Sequence, residues 1–165
     1  MPIKNITQLE LINIDETLRL RKFDCKYDFA LRWYQDEELV RLVDGPYSGV
    51  YTLEKLRRMY EYLNNKGELY FIEIRKDEDF IPIGDVTIWE DDMPIVIGDK
   101  KYQGRGIGKK VIAALIERGR EIGFHKMKVR EIYFYNIASQ KLFKSMGFVE
   151  SGQTSMGKSY CLQID

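Results

Sequence analysis

The stretch Tyr102-Gln103-Gly104-Arg105-Gly106-Ile107-Gly108 stands between a strand-like run, Ile95-Val96-Ile97, and a helix-like run from Lys109 to Ile122. Glycines at such a junction remove side chains where a loop meets a helix start, and backbone N–H groups then face outward. The first four N–H groups of a helix have no internal partner, and the helix dipole favours negative charge beside them. Arg105, Lys109 and Lys110 add full positive charge. The chemistry that these residues suit is anion binding, phosphate above all. Two widespread phosphate patterns do not fit. A Walker loop needs a hydroxyl after its Gly-Lys, and Gly108-Lys109 is followed by Lys110. A dinucleotide fingerprint needs Gly-x-Gly-x-x-Gly, and Gly104-x-Gly106 leads to Lys109 instead.

A second cluster follows about thirty residues on: Asn136-Ile137-Ala138-Ser139-Gln140-Lys141-Leu142-Phe143-Lys144-Ser145-Met146-Gly147-Phe148. It comes after a strand-like run, Lys126 to Tyr135, and reads as a short helix ended by Gly147. Together the two clusters resemble the GNAT superfamily of acyl-CoA-dependent N-acetyltransferases. Gln103, Gly106 and Gly108 match that family's Gln/Arg-x-x-Gly-x-Gly/Ala turn. Asn136, Ser139, Leu142, Gly147 and Phe148 match its second pattern in register. The resemblance is specific between residues 95 and 149 and diffuse before that.

The resemblance implies acetyl transfer from acetyl-CoA to a primary amine, with no metal. It implies cofactor contacts at Ile97 and Gly98 on the strand. In the loop it implies Gln103, Gly104, Arg105, Gly106 and Gly108, with Lys109 beside them, and then Asn136 and Ser139. Gly98 reads equally as a bulge, since a glycine in a strand marks either close approach or a bend. Asn136 is also a good helix cap. An amine with a pKa of ~10.4 must lose a proton before it attacks. The family often keeps a carboxylate before the glycine loop, and Asp92 stands eleven residues before Gln103. Asp99 is the runner-up and Glu90 the third candidate. An aspartate near ~3.9 is a poor base unless its surroundings raise it or it acts through water. Glu90-Asp91-Asp92 reads equally as a solvated turn, and Asp99 as an attractor for the substrate ammonium. The family's usual thiolate-stabilising Tyr is replaced by Phe143, which has no proton to give. Tyr133, Tyr135, Tyr160, water or backbone N–H groups are the remaining sources. The segment Trp33 to Glu38, with Asp44 to Tyr47, resembles that of aminoglycoside 6′-N-acetyltransferases and ribosomal-protein N-terminal acetyltransferases. A polyamine-like or aminoglycoside amine and a protein N-terminus both stay open as acceptors. The rival function is a CoA-binding sensor or interaction module without catalysis.

These residues need elements to hold them. Glu16 to Phe23 alternates apolar and charged side chains, as a half-buried strand does. Tyr27 to Val43 is helical in character and stops at Gly45-Pro46. Thr52 caps a helix carrying Leu53, Leu56, Met59, Tyr60 and Leu63 at helical spacing. Leu69–Arg75 and Ile81–Trp89 read as strands joined by the turn Lys76-Asp77-Glu78-Asp79. The tail suggests two more strands. The order predicts an α/β (α+β) domain over residues 1–165, a mixed twisted sheet of about seven strands with about four helices.

Composition narrows the partners. The 165 residues carry 26 basic and 26 acidic side chains, a formal net charge of zero. That balance gives no reason to expect a nucleic-acid or membrane-surface partner. Two cysteines without Cys-x-x-Cys spacing, Cys25 and Cys161, fit a reducing cytoplasm. His125 is the only histidine, which excludes a His-rich zinc site and reads as structural. No apolar run reaches ~18 residues. Met1-Pro2-Ile3-Lys4-Asn5 has no signal-peptide pattern. A monomer and a homodimer are equally compatible with the chain.

Overall fold

A computed structural model describes residues 3–165. Met1 and Pro2, where the N-terminal reading begins, lie outside the described residues. One sheet runs in the order β1 (Leu11–Asn13), β2 (Leu18–Lys22), β3 (Glu68–Lys76), β4 (Asp79–Ile88) and β5 (Ile95–Ile97). A second has β6 (Lys126–Tyr133) paired with β8 (Gly157–Gln163), which pairs with β7 (Val149–Gln153). The helices are α1 (Leu31–Tyr34), α2 (Glu37–Asp44), α3 (Leu53–Lys66), α4 (Ile107–Glu121) and α5 (Ile137–Ser145). The expected α/β architecture is thus present as eight strands and five α-helices among the described residues. Every ladder is antiparallel, and the sheet is interrupted between β5 and β6. β1 escapes notice in the sequence because it is three residues long and mostly exposed.

The helix expected over Tyr27–Val43 is broken at Gln35-Asp36. The Asp36 carboxylate accepts the N–H groups of Glu38 at 3.0 Å and Leu39 at 3.4 Å. A side chain that takes those donors starts a new helix rather than continuing an old one. Gly45 then ends α2 with a φ of 101°. Thr52 caps α3 as expected, accepting from Lys55 N–H at 3.2 Å.

Leu69, Tyr70, Phe71 and Ile72 on β3 are all fully buried, so this strand is covered on both faces. Tyr70 and Ile72 pack with Val86, Ile88 and the α4 stripe Val111, Ile112 and Leu115. Leu69 and Phe71 pack with Trp33, Tyr34, Leu56 and Tyr60 from α1 and α3. Alternation along the strand therefore feeds two cores, one on each side of the sheet. Arg118 on α4 ties the layers together, with Nε and Nη2 reaching the two Glu68 carboxylate oxygens at 2.9 and 2.8 Å.

Between β5 and β6 no ladder forms. Thr87 N–H donates to Pro94 C=O, and Gly98 N–H donates to Ile83 C=O. With Asp85 opposite Val96, the β5 bonds to β4 run through Val96, and Ile95 and Ile97 turn their backbone groups outward. Asp92 bridges the two sheets at one end of the break. Its Oδ1 accepts Met93 N–H at 2.9 Å and Arg130 N–H at 3.0 Å.

Candidate active site

A groove of about 820 Å³ follows this break. Leu39, Leu42 and Val43 of α2 form one wall, Ile95 to Ile97 the floor, and the glycine loop with α5 the other side. It brings together Ile97, Gln103, Gly104, Gly106, Gly108, Lys109, Asn136 and Ser139. These expected cofactor residues come from three separate stretches of chain.

The loop geometry has a local cause at each position. Gly104 and Gly106 have φ of 72° and 80°, a region open to glycine and strained for other residues. No side chain caps α4. Its first intrahelical bond is Lys110 N–H to Gly106 C=O, so the N–H groups of residues 107–109 remain for a ligand. Gly108 acts differently. A Cβ there would stand 2.9 Å from Leu142 Cδ2, so this glycine lets α4 and α5 approach. The Gln103 amide donates to Ile97 C=O at 2.8 Å and pins the loop to β5. Lys109 and Lys141 line the groove as cations. Lys110 turns away to Asp15 at 2.9 Å, and this pairing holds the Asp15 carboxyl down at about 2.

Three expected contacts do not line the groove. A Cβ on Gly98 would meet the Trp33 ring at 2.3 Å, and the Gly98 N–H is bonded to Ile83. Gly98 is a glycine where α1 packs against the end of β5, and it does not line the groove. Arg105 is exposed, with its guanidinium over the Tyr102 ring at 5.5 Å. Asp99 accepts Lys101 N–H at 3.1 Å, capping a short 3-10 turn, and lies outside the groove. Asn136 is a helix cap, as one of its two readings expected. It caps α5, accepting Ser139 N–H at 3.2 Å, and it lines the groove while donating to Leu42 C=O at 3.3 Å.

The groove continues into the break itself, a cavity of about 250 Å³ lined by Asp92, Arg130, Glu131, Tyr133, Asn136 and Ser139. Asp92 is half-buried there, and burial raises its pKa while the two N–H groups oppose the shift. Glu90 is exposed and lines neither cavity. Glu131 was not among the expected residues. It sits where the β6–β8 register shifts between Val129 and Ile132, and that bulge turns it toward the cavity. The sequence carried the signal: buried Met127 and Val129 are followed in the core by Ile132, so the alternation slips at Arg130-Glu131. Thr154 Oγ1 donates to Glu131 at 2.5 Å.

Tyr133 is the tyrosine that reaches the cavity. Its hydroxyl would lie 3.1 Å from a Cβ on Gly45, so the glycine that ends α2 also makes room for this phenol. Burial first, and then the Glu131 charge, raise the Tyr133 pKa and keep it protonated. Tyr135 stacks on it at 5.6 Å and donates its own hydroxyl to Arg41 C=O. Tyr160 is fully buried, and its hydroxyl has no partner among the described residues. Phe143 is core, packed edge-on against Phe148 at 5.1 Å.

Known proteins resemble this chain in sequence and in fold. Residues 36–148 match the Acetyltransferase (GNAT) family. An L-amino acid N-acyltransferase of Escherichia coli, MnaT, is 42% identical over 52 residues. A probable spermine N(1)-acetyltransferase of Bacillus subtilis is 38% identical over 55 residues. These matches span 32% and 33% of this chain and 30% and 36% of the relatives. The ribosomal L7/L12 α-N-protein acetyltransferase RimL, solved with coenzyme A, superposes with a TM-score of 0.73 at 18% identity. That superposition covers 94% of this chain and 99% of RimL. The family match runs from the cap of α2, through the split sheet and the glycine loop, to the end of α5, and on that ground this chain belongs to the GNAT family of acetyltransferases.

Proposed function

We propose that this protein transfers the acetyl group of acetyl-CoA to a primary amine, on a small molecule or a protein N-terminus, and that residues 1–165 act as one catalytic domain. The observation that carries the reading is the open backbone at the start of α4. Gly104 and Gly106 face empty space where side chains would stand. The N–H groups of residues 107–109 are free beside Lys109 and Lys141. Such a cradle fits a pyrophosphate. From it the groove runs along the outward backbone edge of Ile95 and Ile97, which suits the amide-bearing arm of the same molecule. Its far end is the cavity holding Glu131 and Tyr133.

In the reaction the amine nitrogen bonds to the thioester carbonyl carbon, the carbon–sulfur bond breaks, and the sulfur leaves as a thiolate. Glu131 is the proposed acceptor of the amine proton, directly or through one water. Among the described residues it forms no ion pair, and Thr154 takes only one of its two oxygens. Tyr133 is the proposed hydrogen-bond donor to the departing sulfur, the part that Phe143 cannot play. A protonated phenol suits that task and would be a poor base. Asp92 is the weaker base candidate, because its Oδ1 is engaged by two backbone donors. Amine acceptors are also the substrates named for the two relatives, an L-amino acid N-acyltransferase and a probable spermine N(1)-acetyltransferase.

Titration calorimetry with acetyl-CoA, beside ATP and NAD, tests the cofactor. Binding of acetyl-CoA alone is expected, and its absence overturns the assignment. Turnover on a panel of polyamines, amino acids, aminoglycosides and peptides then tests catalysis. Tight binding with no turnover on any of them favours the rival, a CoA-responsive binding module.

A further inference from the structure

Asp85 has no part in the chemistry above, yet the fold converges on it. It lies on β4 opposite Val96 and is 2% exposed. The Tyr34 hydroxyl donates to its Oδ2 at 2.6 Å and the Tyr60 hydroxyl at 2.9 Å. Tyr34 ends α1, and Tyr60 belongs to α3. An apolar residue at 85 would also pack against these rings. Apolar contact is non-directional, however, whereas a carboxylate fixes where each hydroxyl must point.

Tyr34 passes that constraint on. It stands two residues before Asp36, the cap of α2. Its carbonyl accepts Tyr51 N–H at 2.9 Å, and its ring stacks on Tyr51 with centroids 4.8 Å apart. The Tyr51 hydroxyl donates to Asp44 Oδ2 at 2.5 Å, and Asp44 is the last residue of α2. Both ends of the helix are therefore tied to one buried carboxylate. Between those ends lie Leu39, Leu42 and Val43, the groove wall.

We infer that Asp85 is a positioning residue: through Tyr34 and Tyr51 it brackets α2 and sets the helix wall of the groove. The groove's use for acetyl-CoA rests on the function proposed above, whereas the bracketing of α2 does not. The titratable groups around Asp85 are Tyr34, Tyr60 and, behind Tyr34, Tyr51. All three phenols are held above their ordinary range, chiefly by burial, and stay protonated donors. Burial lifts Asp85 to about 6 against the pull of its two donors, so its charge changes within the working range of pH. The ionised form accepts the stronger hydrogen bonds.

Amide hydrogen exchange on the free protein reads the bracket without any ligand. Tyr34→Phe and Tyr51→Phe keep the rings and remove one hydroxyl each. Each is expected to lower protection in α2 about tenfold relative to α5, and to weaken acetyl-CoA binding about fivefold. Ionised Asp85 holds the Tyr34 hydroxyl more strongly, so openings that break this bond while Asp85 stays buried should become rarer, and protection of α2 relative to α5 in the wild type should rise between pH 5 and 7.5 even as global stability falls. That rise should vanish in Asp85→Asn, and if this variant does not fold, the two phenylalanine variants should each flatten it. Unchanged α2 protection, or an equal loss in α2 and α5 with no pH-dependent difference, overturns the inference. If α2 loosens as expected but the wild type binds no acetyl-CoA, the bracket stands and the proposed function falls.

Discussion

Gly106 and Gly108 sit two residues apart and are constrained for opposite reasons. At Gly106 there is room for a side chain but the backbone, at φ 80°, disfavours one; at Gly108 a Cβ meets Leu142. Gly106→Val forces a β-branched residue to positive φ, at a cost of order 1–3 kcal/mol if the loop holds. Acetyl-CoA affinity should fall at least tenfold while the far-ultraviolet circular dichroism stays as in the wild type. An unchanged affinity would remove the glycine loop from the site. Glu131 and Tyr133 are tested by turnover. Glu131→Gln should lower kcat by roughly 10²–10⁴, the usual range for losing a general base. Tyr133→Phe, which deletes one hydrogen bond, should cost about tenfold. Retained kcat in Glu131→Gln would return Asp92 as the base to examine.

At the scale of elements, the break between β5 and β6 opens the groove, and Asp92 spans it at one end. Asp92→Asn keeps an oxygen to accept Met93 and Arg130 N–H, so stability and turnover should both change little. Asp92→Ala leaves two backbone donors without their acceptor and should destabilise by about 1–3 kcal/mol in urea denaturation. A loss of turnover beyond a hundredfold in Asp92→Asn, with normal stability, would instead mark a catalytic carboxylate. The two helix starts beside the groove show how one side chain redirects the chain. Asp36 interrupts an otherwise helical run and creates α2 as a separate wall. Asn136 starts α5 and, through Leu42 C=O, ties it to α2.

For the whole molecule, the buried charges set the response to pH. The unfolded chain releases the Asp85 proton near 3.8 and the folded one near 6. Between those values the folded state holds the extra proton, so stability falls as pH rises. The difference is worth about 3 kcal/mol at most, at 1.36 kcal/mol for each tenfold. Comparing urea unfolding at pH 4 and 7, the stability of Asp85→Asn relative to wild type should improve by up to that amount. No change with pH would mean that Asp85 titrates normally. Arg118 and Glu68 form a nearly buried, doubly bonded pair, and Arg118→Met should cost about 3–5 kcal/mol by stranding Glu68.

What the sequence determined by itself was local. Glycine conformations, the caps at Thr52 and Asn136, and the apolar stripe of α4 depend on neighbours within a few residues, so the glycine loop and most strands and helices were legible. The tertiary structure decided what depends on distant partners. Gly98 is a glycine because of Trp33, 65 positions away, and no local signal distinguishes that from room for a ligand. Asp92 bridges to Arg130, and Asp85 receives hydroxyls from two helices far from it in sequence. A side chain's charge and type are written in the chain, but its burial and partners arise only when elements pack. For that reason Glu131 and Tyr133 emerged as the proposed centre only once the sheet was seen to split.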